Sequence, residues 1–495
     1  MASSQIKLTR SHEGEHSGDY SDIALKLTRS SYIFALCAAL NSCNLGYDIG
    51  VTTNVGPLVE EHFGLSDSER ELFVGSLNLW SIVGSFFAHW ICDKYGRRRS
   101  FIFAAISFIV GVILMAIAGS YAMLMVGRFF VGLGVGFGLA IDPLYIAEVT
   151  PASHRGELVT FSEIGINVGI VLGFFSGIVF FGVDKDVEWR YMLFSGAVLP
   201  CVMIVLVLKV MPESPRWLVG KGREGEAKEI LAQVYPPGFD IKPIVDDMKI
   251  AIERDEAAER NVGWNMILFP TRAIKRMLLV GIGTAVAQQA VGIDAIQYYL
   301  VDLLEETGIE SDAGRLAVLM MLGVMKLVFI IVGGKLFDRR GRKPLLMISL
   351  AGMAVALVLV SLSKGNVAIF GFALYLAFFS VGMGPGAWLI PSEIFATSIR
   401  AKAMSIATFS NRITATLMSS TFLTTTQAIG WTGFFLLLAA VCVVVLAFVY
   451  FVLPETKGRS LEDMSVYFAE LTGDTSILEA ETKIKQDSGS GVEMT

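Results

Sequence analysis

The 495-residue sequence predicts an all-α membrane protein, with twelve transmembrane helices in two related six-helix halves and short cytoplasmic helices between them. Three observations carry this. Hydrophobic residues make up 54% of the chain and charged ones 17%, a balance that a soluble core could not hide. The apolar residues gather in runs of about 20, the length that crosses a bilayer. Charged motifs also recur at a fixed distance: DKYGRRR begins at Asp93 and DRRGRKP at Asp338, 245 residues later, and Glu148 and Arg155 are followed at the same spacing by Glu393 and Arg400. PESPR (212–216) returns as PETKGR (454–459). Duplicated six-helix halves are the build of transporters that rock around a site at mid-membrane.

In chain order, residues 1–31 form a polar segment with no apolar run, so no cleavable signal peptide is expected and the first span directs insertion. The N-terminal half covers 32–210, with spans near 32–54, 72–92, 100–119, 122–143, 158–182 and 190–210. An insert at 211–274 holds charged, amphipathic stretches such as GREGEAKEILAQV and reads as short helices. The C-terminal half covers 275–453, with spans near 275–302, 314–337, 344–363, 367–391, 403–428 and 432–453. The segment 454–495 is a tail, expected to be mobile after Arg459. Loops after even-numbered spans are basic and the opposite loops, such as EEHFGLSDSERE (60–71), are acidic, which places both termini and the insert in the cytoplasm, and a plasma-membrane location is expected. The lipid bilayer is a partner; nothing points to nucleic acid, a cofactor or a metal, and no nucleophile–base pair suggests an enzyme. The glycine run GLGVGFG (132–138) has no strand before it and reads as close helix packing.

The seventh span is the informative one. GIGTAVAQQAVGIDAIQYYLVDL (281–303) places Thr284, Gln288, Gln289, Asp294, Gln297 and Tyr298 at membrane depth, and Thr284, Gln288, Asp294 and Tyr298 fall within an arc of about 120°. Gly292 can loosen the helix and turn Gln289 toward them. An unpaired carboxylate at the bilayer centre costs about 2.5–3.5 kcal/mol on the lenient scale, so the strip must face protein or a water-filled cavity, and six polar groups that include an acid favour a solute site.

At the basic end, Asp93, Arg97, Glu148, Arg155, Asp338, Arg342, Glu393 and Arg400 form a duplicated set of acids and arginines at helix ends. Such pairs between neighbouring helices are expected to latch the two halves in the outward-open state, each worth about 0–1 kcal/mol when exposed.

The motifs GYDIGV (46–51), DKYGRRR (93–99), GRFFVGLGVGF (127–137), AEVTPASHRG (147–156), PESPRWL (212–218), QQAVGID (288–294), DRRGRKP (338–344), GPGAW (384–388), PSEIF (391–395) and PETKGR (454–459) resemble, in order and over nearly the whole chain, the sugar porter family of the major facilitator superfamily. FSEIGINVGI (161–170), Asp294, Lys326 and NRIT (411–414) most resemble the plant polyol and monosaccharide proton symporters. The resemblance implies hydroxyl contacts from Gln288, Gln289, Tyr298, Trp388 and Asn411. Four positions depart from the hexose facilitators: Glu163, Asp294, Lys326 and Arg412 stand where those have Gln, Asn, Asn and Trp. Two acids and two bases sum to zero, so the cavity can hold them as pairs, with Lys326 held by Glu163, Asp294 or both. The resemblance also makes Asp48 and Arg128 the proton switch. Asp142 is a further intramembrane acid without an assigned role, and His89 reads as a packing or interfacial histidine. The expected function is proton-coupled import of a sugar alcohol or monosaccharide, the proton being the coupling ion. The alternatives are a hexose uniporter and a sugar sensor that does not transport.

Overall fold

The computed structural model describes residues 27–151, 154–262, 264–396, 398–459 and 461–489, and every regular element among them is a helix. The N-terminal half contains α1 (Arg29–Phe63), α2 (Asp67–Tyr95), α3 (Arg97–Ala116), α4 (Tyr121–Val149), α5 (Arg155–Phe180) and a sixth span made of α6 (Lys185–Ser195) and α7 (Val198–Lys209). Between the halves lie α8 (Pro215–Gly220), α9 (Glu224–Val234), α10 (Lys242–Val262) and α11 (Asn265–Leu268). In the C-terminal half the seventh span is broken into α12 (Arg272–Ala290), α13 (Ile293–Tyr298) and α14 (Leu300–Glu306). There follow α15 (Asp312–Arg340), α16 (Arg342–Leu362), a tenth span of α17 (Asn366–Val381) and α18 (Met383–Ile394), α19 (Arg400–Ser420) and α20 (Phe422–Val452).

Among the described residues ten helical stretches are apolar and long enough to cross a bilayer. The helices α1 and α19 complete the twelve. They are less hydrophobic because they bury polar groups, among them Asn41, Asn44, Asp48 and Thr52 on α1 and Asn411 and Arg412 on α19. The large side chains Phe86, Trp90, Val444 and Phe451 face outward, as lipid contact requires.

Small residues let the helices approach. A Cβ added to Gly46 of α1 would lie 1.8 Å from the carbonyl oxygen of Ile166 on α5, and one on Gly136 would lie 2.1 Å from that of Ser81 on α2. The glycine run of α4 is thus a packing surface. Gly96 and Gly341, repeat counterparts, take φ of 91° and 92° and turn one span sharply into the next. At each joint a carboxylate caps the following helix. Glu213 accepts from the N–H groups of Arg97 and Arg98, and Glu455 from those of Arg342 and Lys343. Burial pushes Glu213 above the usual carboxylate range. Glu455 is also penalised by burial, yet the N–H groups of Lys457, Arg342 and Lys343 hold it below that range.

The tail departs from expectation. It forms α21 (Leu461–Thr472) and α22 (Ser476–Gly489), because Met464, Phe468, Ile477 and Ile484 give it an apolar side to bury. It packs against α10 and α12, and Asp474 accepts from the N–H of Ala273 at 3.1 Å. The eleventh span breaks at Thr421 but runs on through 422–429 beside the start of α2, and the turn into the twelfth comes at Gly430, whose φ of 74° lies outside the helical range.

Candidate functional site

The break at Gly292 shapes the centre of the molecule. Its φ of 90° is one that a side chain would strain, and a Cβ there would meet Leu438 at 2.8 Å. The break leaves Gln288 and Gln289 at the end of α12 and starts Asp294, Gln297 and Tyr298 on a separate short helix, all of them buried. Gln288 Nε2 donates to the carbonyl of Gly384 on α18 at 2.8 Å, and its Oε1 accepts from Asn411 Nδ2 on α19 at 2.9 Å. Trp388 lies one turn beyond Gly384 and is half-buried. Thr284 leaves the strip, since its hydroxyl bonds back to Val280 of its own helix.

The charged residues are held by amides rather than by one another. Lys326 Nζ donates to Gln297 Oε1 at 2.9 Å and lies 5.8 Å from the centre of the Phe379 ring. Arg412 donates from Nε and Nη2 to Asn411 Oδ1, at 3.0 and 2.6 Å, and from Nη1 to Asn78 Oδ1 on α2 at 3.2 Å. The expectation of direct pairing is therefore corrected: neither Glu163 nor Asp294 forms an ion pair among the described residues, though both act electrostatically on Lys326. The physical reason is local. Gln297 follows Asp294 by three residues on the same short helix, and its amide reaches the lysine first. Buried polar atoms without partners cluster in this region: Gln289 Oε1, Tyr298 Oη and Asn78 Nδ2. Donors and acceptors left open at membrane depth are groups that an uncharged polyhydroxylated ligand would satisfy.

Asp48 and Arg128 form a direct pair. Arg128 Nη1 donates to Asp48 Oδ1 and Oδ2 at 2.9 and 2.8 Å, its Nε donates to the carbonyl of Phe73 at 3.0 Å, and its guanidinium lies 4.4 Å from the Phe73 ring centre. Arg128 is 0% exposed and Asp48 1%. One turn on, Thr52 donates to Asp48 at 3.4 Å, and the next residue, Thr53, donates across to the carbonyl of Gln297 at 2.9 Å. The helix carrying the pair is thereby bonded to the residue that holds Lys326.

The duplicated set at the basic end connects helices within each half. Arg97 bonds Glu148 through Nε and Nη2, both at 2.9 Å, and Asp93 at 3.3 Å. Arg342 bonds Glu393 at 2.8 Å, Glu393 also accepts from Thr456, and Arg400 donates to the carbonyl of Ser392. The side chains of Arg155 and Asp338 lie outside the described residues. The described bonds of Arg97 and Arg342 join helix ends within one half, and that the whole set latches the two halves is a proposal. The described bonds that cross between halves lie at mid-depth and at the acidic end. Arg70, 4% exposed, donates to Asp302 at 2.9 and 2.6 Å while also holding Glu60 at 2.7 Å, and Glu71 accepts from the N–H and hydroxyl of Thr424. Sequence reasoning missed Arg70, Glu71, Asn78 and Asp302. Asn78 inside an apolar run was a signal that could have been read; the others look like ordinary loop charges.

The family pattern described as "Sugar (and other) transporter" matches residues 34–468. The chain is 36% identical over 468 residues to "Probable polyol transporter 4" of Arabidopsis thaliana, spanning 92% of this chain and 89% of that protein. "Plastidic glucose transporter 4" of the same plant is 33% identical, over 88% of this chain and 79% of its own length. Among solved structures, the proton:xylose symporter XylE bound to 6-bromo-6-deoxy-D-glucose superposes with a TM-score of 0.76 at 27% identity, over 89% of this chain and 99% of the other. An inward-open form of the xylose transporter XylE from E. coli gives 0.74 at 26% identity, over 88% and 98%.

Proposed function

The chain belongs to the sugar transporter family of the major facilitator superfamily, and on that footing we propose that it imports polyols or monosaccharides together with protons by alternating access. It is a multi-pass membrane transporter, not an enzyme, and needs no cofactor beyond the proton. The basic end faces the cytoplasm by the positive-inside rule, with both termini on that side of the plasma membrane. The bonds from Arg70, Glu71 and Asn78 then close the outer side.

The observation that carries the reading is the chain of bonds from Arg128 through Asp48 and α1 to Gln297 and Lys326. Protonation of Asp48 weakens its hold on Arg128, frees α1 to shift and changes the position of Gln297 beside the solute. Proton and solute then favour the same conformation, which coupling requires. Gln288, Gln289, Tyr298, Trp388 and Asn411 contact the hydroxyl groups, while Glu163, Asp294, Lys326 and Arg412 set the orientation of a neutral ligand.

The test is uptake by proteoliposomes of labelled hexoses, pentoses, linear polyols and inositol at two external pH values, with and without an uncoupler. Accumulation that the uncoupler abolishes while exchange persists is the expected result. Accumulation that survives the uncoupler, or equilibration alone under every gradient, overturns the coupling.

A further inference from the structure

Asp142 is a buried acid that neither the central site nor the Asp48–Arg128 pair uses. It lies on α4, 14 residues beyond Arg128, and is thus about 21 Å nearer the basic end. The residue is 1% exposed. Asn41 Nδ2 donates to its Oδ1 at 2.9 Å and Ser42 Oγ to its Oδ2 at 2.5 Å.

No cation pairs with it among the described residues. At this depth the titratable groups on helices packed against α4 are Cys37 and Cys43 on α1, His89 on α2 and Glu163 on α5. On α3 the nearest are Arg97, Arg98 and Arg99 at its start, α8 brings Arg216, and α4 itself adds Tyr145 and Glu148. None of these bonds the Asp142 carboxyl. A carboxyl so placed can carry either a charge or a proton, because a serine hydroxyl donates to the ionised form and accepts from the protonated one.

The group is also connected to the first acid. Asn44 Nδ2 donates to Asn41 Oδ1 at 3.1 Å, and Asn41, Asn44 and Asp48 follow at spacings of three and four residues along one face of α1. Asn44 is 3% exposed and its Oδ1 has no partner, which makes it an acceptor between the two carboxyls where a water can be held.

We propose that Asp142 is a second proton site, which receives the proton from Asp48 along this face of α1 and releases it at the basic end. The O–H bond at Asp48 breaks as one forms at Asp142, through water at Asn44. Asp48 regains its charge and its pair with Arg128, and Asp142 becomes neutral until it releases the proton. The inference rests on the symport reading and adds to it the exit route.

The experiment measures solute exchange in proteoliposomes whose internal pH is set near 6 or near 8 at constant external pH. The rate ratio between these conditions does not depend on how much protein is correctly inserted. In the unmodified protein the ratio is expected to be roughly fivefold or more, the lower end of ordinary coupling between sites. Asp142→Asn should bring it close to one. Ser42→Ala, which keeps the acid and removes one partner, should move the midpoint of the internal-pH profile. An unchanged ratio in Asp142→Asn with an unchanged midpoint in Ser42→Ala overturns the second site alone, provided the unmodified protein accumulates solute with protons. Failure of the unmodified protein to do so removes the symport reading and this site with it.

Discussion

Replacing either member of the Asp48–Arg128 pair should have unequal consequences, because the two side chains have different supports. Arg128→Met leaves a buried carboxylate with only the 3.4 Å bond from Thr52, so it should cost about 3–5 kcal/mol, the usual penalty for stranding one partner of a buried pair. Asp48→Asn leaves Arg128 with the Phe73 carbonyl at 3.0 Å and the Phe73 ring at 4.4 Å. A bond from a charged donor is worth about 1.5–3 kcal/mol and a desolvated cation–ring contact up to about 2, so that change should cost only about 1–2 kcal/mol. The double variant should cost at least about 2 kcal/mol less than the sum of the two, since no lone charge remains. Stability would be followed by denaturant titration in mixed micelles, and transport by accumulation and exchange in proteoliposomes. Asp48→Asn should exchange solute without concentrating it and without dependence on external pH. Equal single costs with an additive double would refute the buried-pair reasoning, and an Asp48→Asn protein that still concentrates solute in a pH-dependent way would refute the proton assignment.

Gln288→Ala should weaken apparent solute affinity by about 1–3 kcal/mol, because it removes one of the two acceptors of Asn411 Nδ2 and the donor to the Gly384 carbonyl along with the proposed contact to a solute hydroxyl; unchanged affinity in binding titrations would move the site elsewhere. Lys326→Met should impair transport more than Lys326→Met combined with Asp294→Asn, and additive losses would show that the charges act independently. Arg70→Ala should open the acidic end, raising thiol labelling of a cysteine placed at Asn78 from that side; labelling equal to that of the parent would mean that the Asp302 bond does not hold the halves together. Asp474 is held well below the usual carboxylate range, first by the Ser476 hydroxyl and then by the N–H of Ala273. A depressed carboxylate stabilises above its unfolded value, about 3.9, and loses that contribution as pH falls toward the folded value. Tail attachment, followed by hydrogen exchange of α22, should therefore be constant between about pH 5.5 and 8 and weakened throughout that window by Asp474→Ala.

The sequence by itself determined the twelve spans, the duplicated halves and the identity of most polar groups at the centre. Span length and the cost of polar groups in hydrocarbon are local constraints, and a 245-residue repeat is visible without coordinates. It also pointed to Asp48 and Arg128, through the resemblance of their motifs to those of proton-coupled sugar porters. The partners of those charges were decided by tertiary structure. Whether Lys326 meets Asp294 or Gln297 depends on how the break at Gly292 rotates one short helix, and whether Arg97 meets Glu148 of α4 or an acid farther off depends on the distance between helix ends. The same holds for Arg70, which reads as one more loop charge until α2 and α14 are brought together and Asp302 lies 2.6 Å away. Composition and periodicity specify which side of a helix must be hidden; only packing specifies what it is hidden against.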